Sequence, residues 1–320
     1  MITGLVSTVI PVYNRPEMLL DAVSSVIDQH YRPIEIIIIN DGSTDNTLEV
    51  ARQLEQVHDC ISVVNIDNSG PAVAREKGRE RARGEFIQYL DSDDLLHPDK
   101  FTQQVTALNN HTECGVSYCV QKLCHVDGTL IESAWMRSGT KHSHMFPAML
   151  GGRIWGTPVP LYRSELLQKA GPWLDLCNQE DWEYDCRVAS IGVKLHFCAT
   201  TLVTIRRHNQ DHLGNIESHQ NNKLTDKSKA YLEIHQHAIK ANISLDQTDC
   251  LRFNRMAFML ARECAEVNLV NEARSLISLC KLSTHVLKRK IEYQTYIALS
   301  TVFGWQNTAK AVTYLSRLRS

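Results

Sequence analysis

The chain has 320 residues, 43% apolar and 22% charged, a composition that excludes disorder and fibrous repeats and allows one large domain with a smaller appendage. Its 34 basic and 36 acidic residues leave a formal charge of −2, so no global field draws in nucleic acid and no nucleic-acid partner is expected. No charged leader opens the chain and no run of about 18 apolar residues follows, which sets the expectation of no transmembrane segment and a cytoplasmic location, with peripheral contact at the inner face of a membrane left open.

The ten cysteines then read as reduced, buried small hydrophobes rather than as a disulfide framework. Cys114, Cys119, Cys124 and His125 lack the paired knuckles of a structural zinc site.

Along the chain, Val6 to Ile10 reads as a buried strand. Asn14 followed by Glu17 resembles a capping box, and Leu19, Leu20, Val23, Val26 and Ile27 recur at helical spacing, predicting a helix to about Gln29. Glu35 to Asn40 holds four consecutive isoleucines, the mark of a central strand covered on both faces. It ends at Asp41-Gly42-Ser43, and Ser43 or Thr44 is expected to cap a second helix to about Leu54. Ile61 to Ile66 gives a third strand, Pro71 opens a helix closed by Gly84, and Phe86 to Leu90 gives a fourth strand. Pro98 opens another helix to about His111.

Between Gly115 and His208 the pattern loosens into a hairpin signalled by Asp127-Gly128, an amphipathic stretch Glu180 to Ile191, and a strand-like run Leu195 to Ile205. The alternation predicts an α/β fold, an open mixed sheet with crossover helices. The polar stretch Asn209 to Asp226 reads as a linker with the boundary near Asn215. A small all-α C-terminal domain follows, in which Met256 to Lys281 forms a helical hairpin with small residues at the crossing. The expected domains are therefore 1–214 and 215–320.

In open α/β sheets, ligands bind beyond the carboxyl ends of the strands, where Asp41 and Asp91 to Asp94 both fall. Asp91, Asp93 and Asp94 crowd like charges together, which suits a hard divalent cation held jointly with phosphate oxygens, or else a solvated acidic turn. Asp41 reads either as an acceptor for a ribose hydroxyl or base N–H, or as a turn aspartate serving its own backbone. Asp181 opens a predicted helix, where a carboxylate acts on chemistry or merely suits the helix dipole. His208 follows Arg206 and Arg207 at a strand end, a place for a diphosphate or simply a basic terminus.

Taken in order, Val9 to Arg15, Glu35 to Asn46, Asn68-x-Gly70 with Ala74-Arg75, Gly84 to Ile87, Leu90 to Asp94 and Glu180-Asp181-Trp182 resemble the family-two glycosyltransferases of the GT-A fold. The resemblance covers about Met1 to His208 and leaves the helical tail aside. It implies an inverting enzyme that moves a sugar from a nucleotide-sugar donor, a UDP-sugar by the family's commonest base, to an acceptor hydroxyl in glycan or cell-surface polysaccharide synthesis. It implies that Pro11, Tyr13 and Asp41 contact base and ribose, that Arg75 assists donor binding, and that Asp93, with Asp91 beside it, holds Mn²⁺ or Mg²⁺. It also implies that Asp181 is the general base and that His208 approaches the metal or diphosphate. Glu76 departs from the pattern, in which Asn commonly follows the arginine. The acceptor is a glycan, a lipid-linked molecule or a protein, and pairing of two copies through the helical tail is left open.

Three other readings compete. A dinucleotide-dependent dehydrogenase fails because the first strand runs into Pro11-Val12-Tyr13-Asn14 with no glycine nest. A sugar nucleotidyltransferase would show a Gly-rich basic phosphate loop near its start. A non-catalytic nucleotide-sugar-binding or scaffolding protein would show decay at Asp41, Asp91, Asp93 or Asp181, and all four remain.

Overall fold

The computed structural model describes residues 1–131, 138–207, 217–244, 247–283 and 286–317. It divides into two units: the first holds Met1–Met145, Arg153–Asp175 and Ile191–Gln210, the second Phe146–Gly152, Leu176–Ser190 and Asp211–Ser320. The expected boundary at 214/215 lies outside the described residues, and two earlier segments group with the tail.

The first unit runs β1 (Ile2–Val12), α1 (Pro16–Ile27), β2 (Ile34–Asp41), α2 (Thr47–Val57), β3 (Ile61–Ile66), α3 (Pro71–Arg81), β4 (Gly84–Tyr89), β5 (Leu95–Leu96), α4 (Lys100–Asn110), β6 (Cys114–His125), β7 (Leu161–Arg163), α5 (Ser164–Ala170) and, after a helix of the second unit, β8 (Lys194–Arg207). The eight strands form one sheet in the order β3-β2-β1-β4-β7-β6-β8-β5. The block β3-β2-β1-β4 is parallel, β7 runs antiparallel to β4 and β6, β8 is parallel to β6, and β5 is antiparallel to β8. This is the open mixed sheet with crossover helices that the sequence predicts.

Every residue of β2 is buried, as a β-branched run covered on both faces requires. Helix α3 lies close against the sheet because its inward face is small: a Cβ at Gly78 would stand 2.2 Å from a Val9 methyl. That close approach brings Arg75, on the same buried face as Ala72, Ala74 and Gly78, against the sheet.

Several local expectations give way to tertiary contacts. Asn14 does not cap α1, whose N-cap is Arg15. Asn14 is instead left-handed (φ 50°), with its side chain bonded to Thr44. Ser43 and Thr44 therefore hold the preceding loop, and α2 begins later, after Asn46. Gly84 is no helix terminus: it opens β4, donates its N–H to Ser7 Oγ (2.8 Å), and leaves no room for a Cβ beside Leu5 and Ser7. The hairpin at Asp127-Gly128 is present, closed by the His125 N–H to Thr129 carbonyl bond and a bridge between Cys124 and Leu130.

The second unit contains a short 3-10 turn (Ala148–Gly151) and helices α6 (Glu180–Ala189), α7 (Glu217–Lys240), α8 (Thr248–Glu266), α9 (Val270–Ser283), α10 (Leu287–Phe303) and α11 (Trp305–Arg317). The residues 217–226, read from sequence as linker, are the first turns of α7. Their polarity is that of a helix which buries Ala230, Tyr231, Ile234 and Ala238 only further along. Helices α8 and α9 form the expected hairpin, with Ala257, Ala261, Ala265 and Ala273 fully buried. Trp182 packs edge-on to Tyr231 and Phe253 and donates its indole N–H to the Met149 carbonyl (2.7 Å), tying α6, α7, α8 and the 3-10 turn into one core.

Candidate functional site

Because β2, β1 and β4 are adjacent and parallel, their carboxyl ends deliver Asp41, Pro11 to Asn14, and Asp91 to Asp94 to one edge of the first unit. The loops there are stitched together. Asn14 donates its backbone N–H to Ser43 Oγ (3.0 Å) and accepts the Thr44 N–H (2.8 Å), while the Arg15 N–H reaches Thr47 Oγ1 (3.0 Å). Pro11 is half-buried and Tyr13 is 40% exposed at the loop tip, so an aromatic face stands open beside the strand ends.

Asp41 is buried, and both of its carboxylate oxygens are engaged: Oδ1 accepts the Ser69 N–H (2.7 Å) and Oδ2 the Gly70 N–H (2.9 Å). Gly42 next to it has φ +66° and packs so tightly that a Cβ would lie 2.6 Å from the Asn68 nitrogen. The serving-the-backbone role weighed from sequence is thus real, but the backbone belongs to the loop that starts α3. A carboxylate carries about four acceptor lone pairs, so these two bonds leave capacity for a further donor.

Helix α3 in turn places Arg75, whose Nη2 donates to Asp91 Oδ1 (2.7 Å) and whose guanidinium sits 5.1 Å from the Trp173 ring centroid. Burial pushes the Asp91 carboxyl up, but Arg75, by charge and hydrogen bond, with help from Arg153 and Thr157, outweighs it and holds the group below its usual range. Asp93 pairs with Arg15 (2.7 Å). Asp94 is pushed well above the usual carboxylate range by burial first, then by the charges of Asp93 and Asp91, despite the Arg206 N–H that it accepts at 3.0 Å. Arg206 also donates to the Asp93 carbonyl and to Asp21 (2.6 Å). The crowding of the three carboxylates thus falls on Asp94, while Asp91 and Asp93 each face an arginine.

Among the described residues no three His, Cys, Asp or Glu side chains converge into a ready-made metal site. Asp93 and Asp91 nonetheless fit a hard cation that takes one or two carboxylates and completes its shell with phosphate oxygens and water.

The edge also includes residues to which sequence reasoning gave no role. Arg15 faces Asp93, and its signal was only its place in the first motif. Trp173, far away in the chain, packs under Arg75 and donates its indole N–H to Tyr89 (3.0 Å), and nothing local foretells it. Glu76, the departure from the family pattern, clasps Arg79 (2.6 and 2.8 Å) and accepts the Trp173 N–H (3.1 Å). It fixes the support of Arg75.

Asp181 belongs to the second unit, at the first turn of α6, where it accepts the N–H of Trp182 (2.7 Å). His208 lies outside the described residues.

Residues 7–150 match the family described as Glycosyl transferase family 2. The chain is 40% identical over 129 residues to the putative teichuronic acid biosynthesis glycosyltransferase TuaG of Bacillus subtilis (strain 168), covering 40% of this chain and 51% of that protein. It is 26% identical over 252 residues to the putative glycosyltransferase EpsH of the same organism, covering 77% of this chain and 72% of that one. The first of these matches thus spans about half of the relative's length. Among solved structures, residues 1–349 of S. aureus TarS in complex with UDP-GlcNAc superpose with a TM-score of 0.71 at 15% identity, covering 95% of this chain and 89% of that one. At that identity the likeness concerns the fold.

Proposed function

Residues 7–150 belong to glycosyl transferase family 2, of the GT-A fold, and from that premise we propose that the chain transfers a sugar from a UDP-sugar to an acceptor hydroxyl with inversion, in the synthesis of a cell-surface glycan. The observation that carries this reading is the shared strand-end edge. It combines an exposed tyrosine, a buried aspartate anchoring a helix start, and two carboxylates, Asp91 and Asp93, each paired with an arginine. The relative named for teichuronic acid biosynthesis and the neighbour bound to UDP-GlcNAc support the substrate class.

In this reading Tyr13 and Pro11 take the uracil face and Asp41 accepts a ribose hydroxyl from the side opposite its amide bonds. Arg75 keeps Asp91 charged and aimed at the donor. Asp93 is the chief ligand of a divalent ion, with Asp91 beside it. When bound, Mn²⁺ or Mg²⁺ supplies positive charge where the departing diphosphate develops negative charge. Arg15, paired with Asp93, balances the carboxylate and stands in a loop that can donate to the donor's phosphate oxygens. Asp181 removes the acceptor proton, and His208 is assigned to the diphosphate side. A single displacement needs no covalent nucleophile, and inversion follows.

The test is calorimetry of UDP binding with Mn²⁺, Mg²⁺ or chelator. Asp93→Ala is expected to lower metal-dependent UDP affinity at least tenfold and to abolish release of nucleoside diphosphate from a nucleotide-sugar. Unchanged affinity in that variant would overturn the ligand assignment.

A further inference from the structure

Helix α10 has two opposite faces of unlike fate. Tyr293, Tyr296 and Ser300 are buried at 1–4% exposure, Phe258 packing on both tyrosines. On the other side Leu287 (71%), Ile291 (54%) and Val302 (74%) stand in solvent, with exposed Ala298 between them. At about 100° per residue these four positions fall within a sector of roughly 60°, which holds no charged residue, and Lys288 and Lys290 flank it on either side. Leu299, Phe303, Tyr314 and Leu315 add further exposed apolar surface on α10 and α11. Exposed apolar positions aligned on one side of α10, with only the uncharged Gln294 and Thr295 beside its middle, mark a candidate docking surface.

Charge decides what docks there. Residues 286–320 carry six basic residues (Lys288, Arg289, Lys290, Lys310, Arg317, Arg319) against Glu292 alone, whereas the rest of the chain has 28 basic to 35 acidic. A second copy would cover the apolar stripe at the expense of setting two strongly basic segments against each other. An anionic lipid surface complements both features at once.

We propose that α10 lies in the plane of an anionic membrane surface, with Leu287, Ile291 and Val302 entering the acyl boundary and Lys288 and Lys290 at the headgroups. Among the described residues no helix is long and apolar enough to cross a membrane, and this mode of contact requires none.

The test is co-sedimentation of the full chain with vesicles of phosphatidylcholine alone or mixed with phosphatidylglycerol. Binding is expected only to the anionic vesicles and should weaken with added salt. Ile291→Gln with Val302→Gln, both at exposed positions and to a good helix former, should reduce partitioning at least tenfold. Lys288→Gln with Lys290→Gln should reduce it about 30-fold. Circular dichroism and donor hydrolysis in vesicle-free solution should match the parent in both variants, which separates failure of this proposal from failure of the transferase reading. Equal binding to neutral and anionic vesicles, or none to either, overturns it. So does a parent dimer that the apolar variant dissociates in sedimentation velocity while vesicle binding stays unchanged.

Discussion

Replacing Asp41 by Asn isolates the part of the site that exists before any ligand arrives. The buried carboxylate holds the Ser69 and Gly70 amides at 2.7 and 2.9 Å, in bonds that are themselves only partly buried. Asn retains one acceptor oxygen, but its amide group meets the other N–H donor to donor. One charge-assisted bond is lost, the other becomes neutral, and a partly buried N–H must turn to water. With a charged bond worth about 1.5–3 kcal/mol and the step from a charged to a neutral bond worth about 1 kcal/mol, the local loss comes to about 2–4 kcal/mol. Amide exchange at Ser69 and Gly70, measured without nucleotide, should speed up roughly 30- to 900-fold as the loop opens more often. UDP affinity should fall too, because this loop begins the helix that positions Arg75. Asp93→Asn is the control: its partly exposed ion pair with Arg15 is worth about 1 kcal/mol or less, so it should spare the exchange rates and impair only metal-dependent binding. If Asp41→Asn left exchange at both amides within threefold of the parent, the carboxylate would not be what holds the loop, and its link to Arg75 would fall.

Asp181→Asn should leave nucleotide-sugar affinity nearly unchanged while lowering turnover by about 10²–10⁴, the contribution of a positioned base; turnover within threefold of the parent, read by nucleoside diphosphate release, would move proton transfer to another group. Glu183, fully buried, is pushed up by burial but held below its usual range by hydrogen bonds from His237 (2.8 Å) and Arg187. Its folded pKa lies below the unfolded one, so its stabilisation is complete above about pH 4.3 and fades as pH falls through the folded value. Glu183→Gln should therefore cost about 3 kcal/mol at neutral pH and flatten the acid limb of unfolding followed by Trp182 fluorescence. An acid limb as steep as the parent's would show that other carboxylates carry it.

The parallel half of the sheet was legible because its signals are local. The isoleucine run of β2, the β3 segment and Pro71 at the start of α3 each state their structure within a few residues. The errors fall where a distant partner outbids a local preference. Asn14 has the form of a helix cap, yet Thr44 and Ser43 from the next loop claim it, and α2 is thereby delayed to Thr47. Gly84 resembles a helix stop but serves the close passage of β4 past Leu5 and Ser7. The start of α7 reads as linker because a helix whose first turns are polar carries no periodicity there.

The site divides along the same line. Carboxylates at strand ends announce themselves, since strand lengths and the parallel order fix where Asp41 and Asp91 to Asp94 emerge. Their electrostatic state does not, since it depends on Arg75 delivered by a helix that Asp41 itself anchors, on Arg15 from another loop, and on Trp173 about eighty residues downstream. Glu76 shows the consequence. As a departure from a motif it casts doubt on donor contacts, yet its carboxylate turns to Arg79 and the Trp173 backbone and so braces the aromatic ring beneath Arg75. A motif residue and its replacement can thus occupy the same position while acting on different partners. For Asp41 the chain of dependence runs through structure: the aspartate holds a loop, the loop starts a helix, the helix carries an arginine, and the arginine holds the Asp91 carboxyl below its usual range.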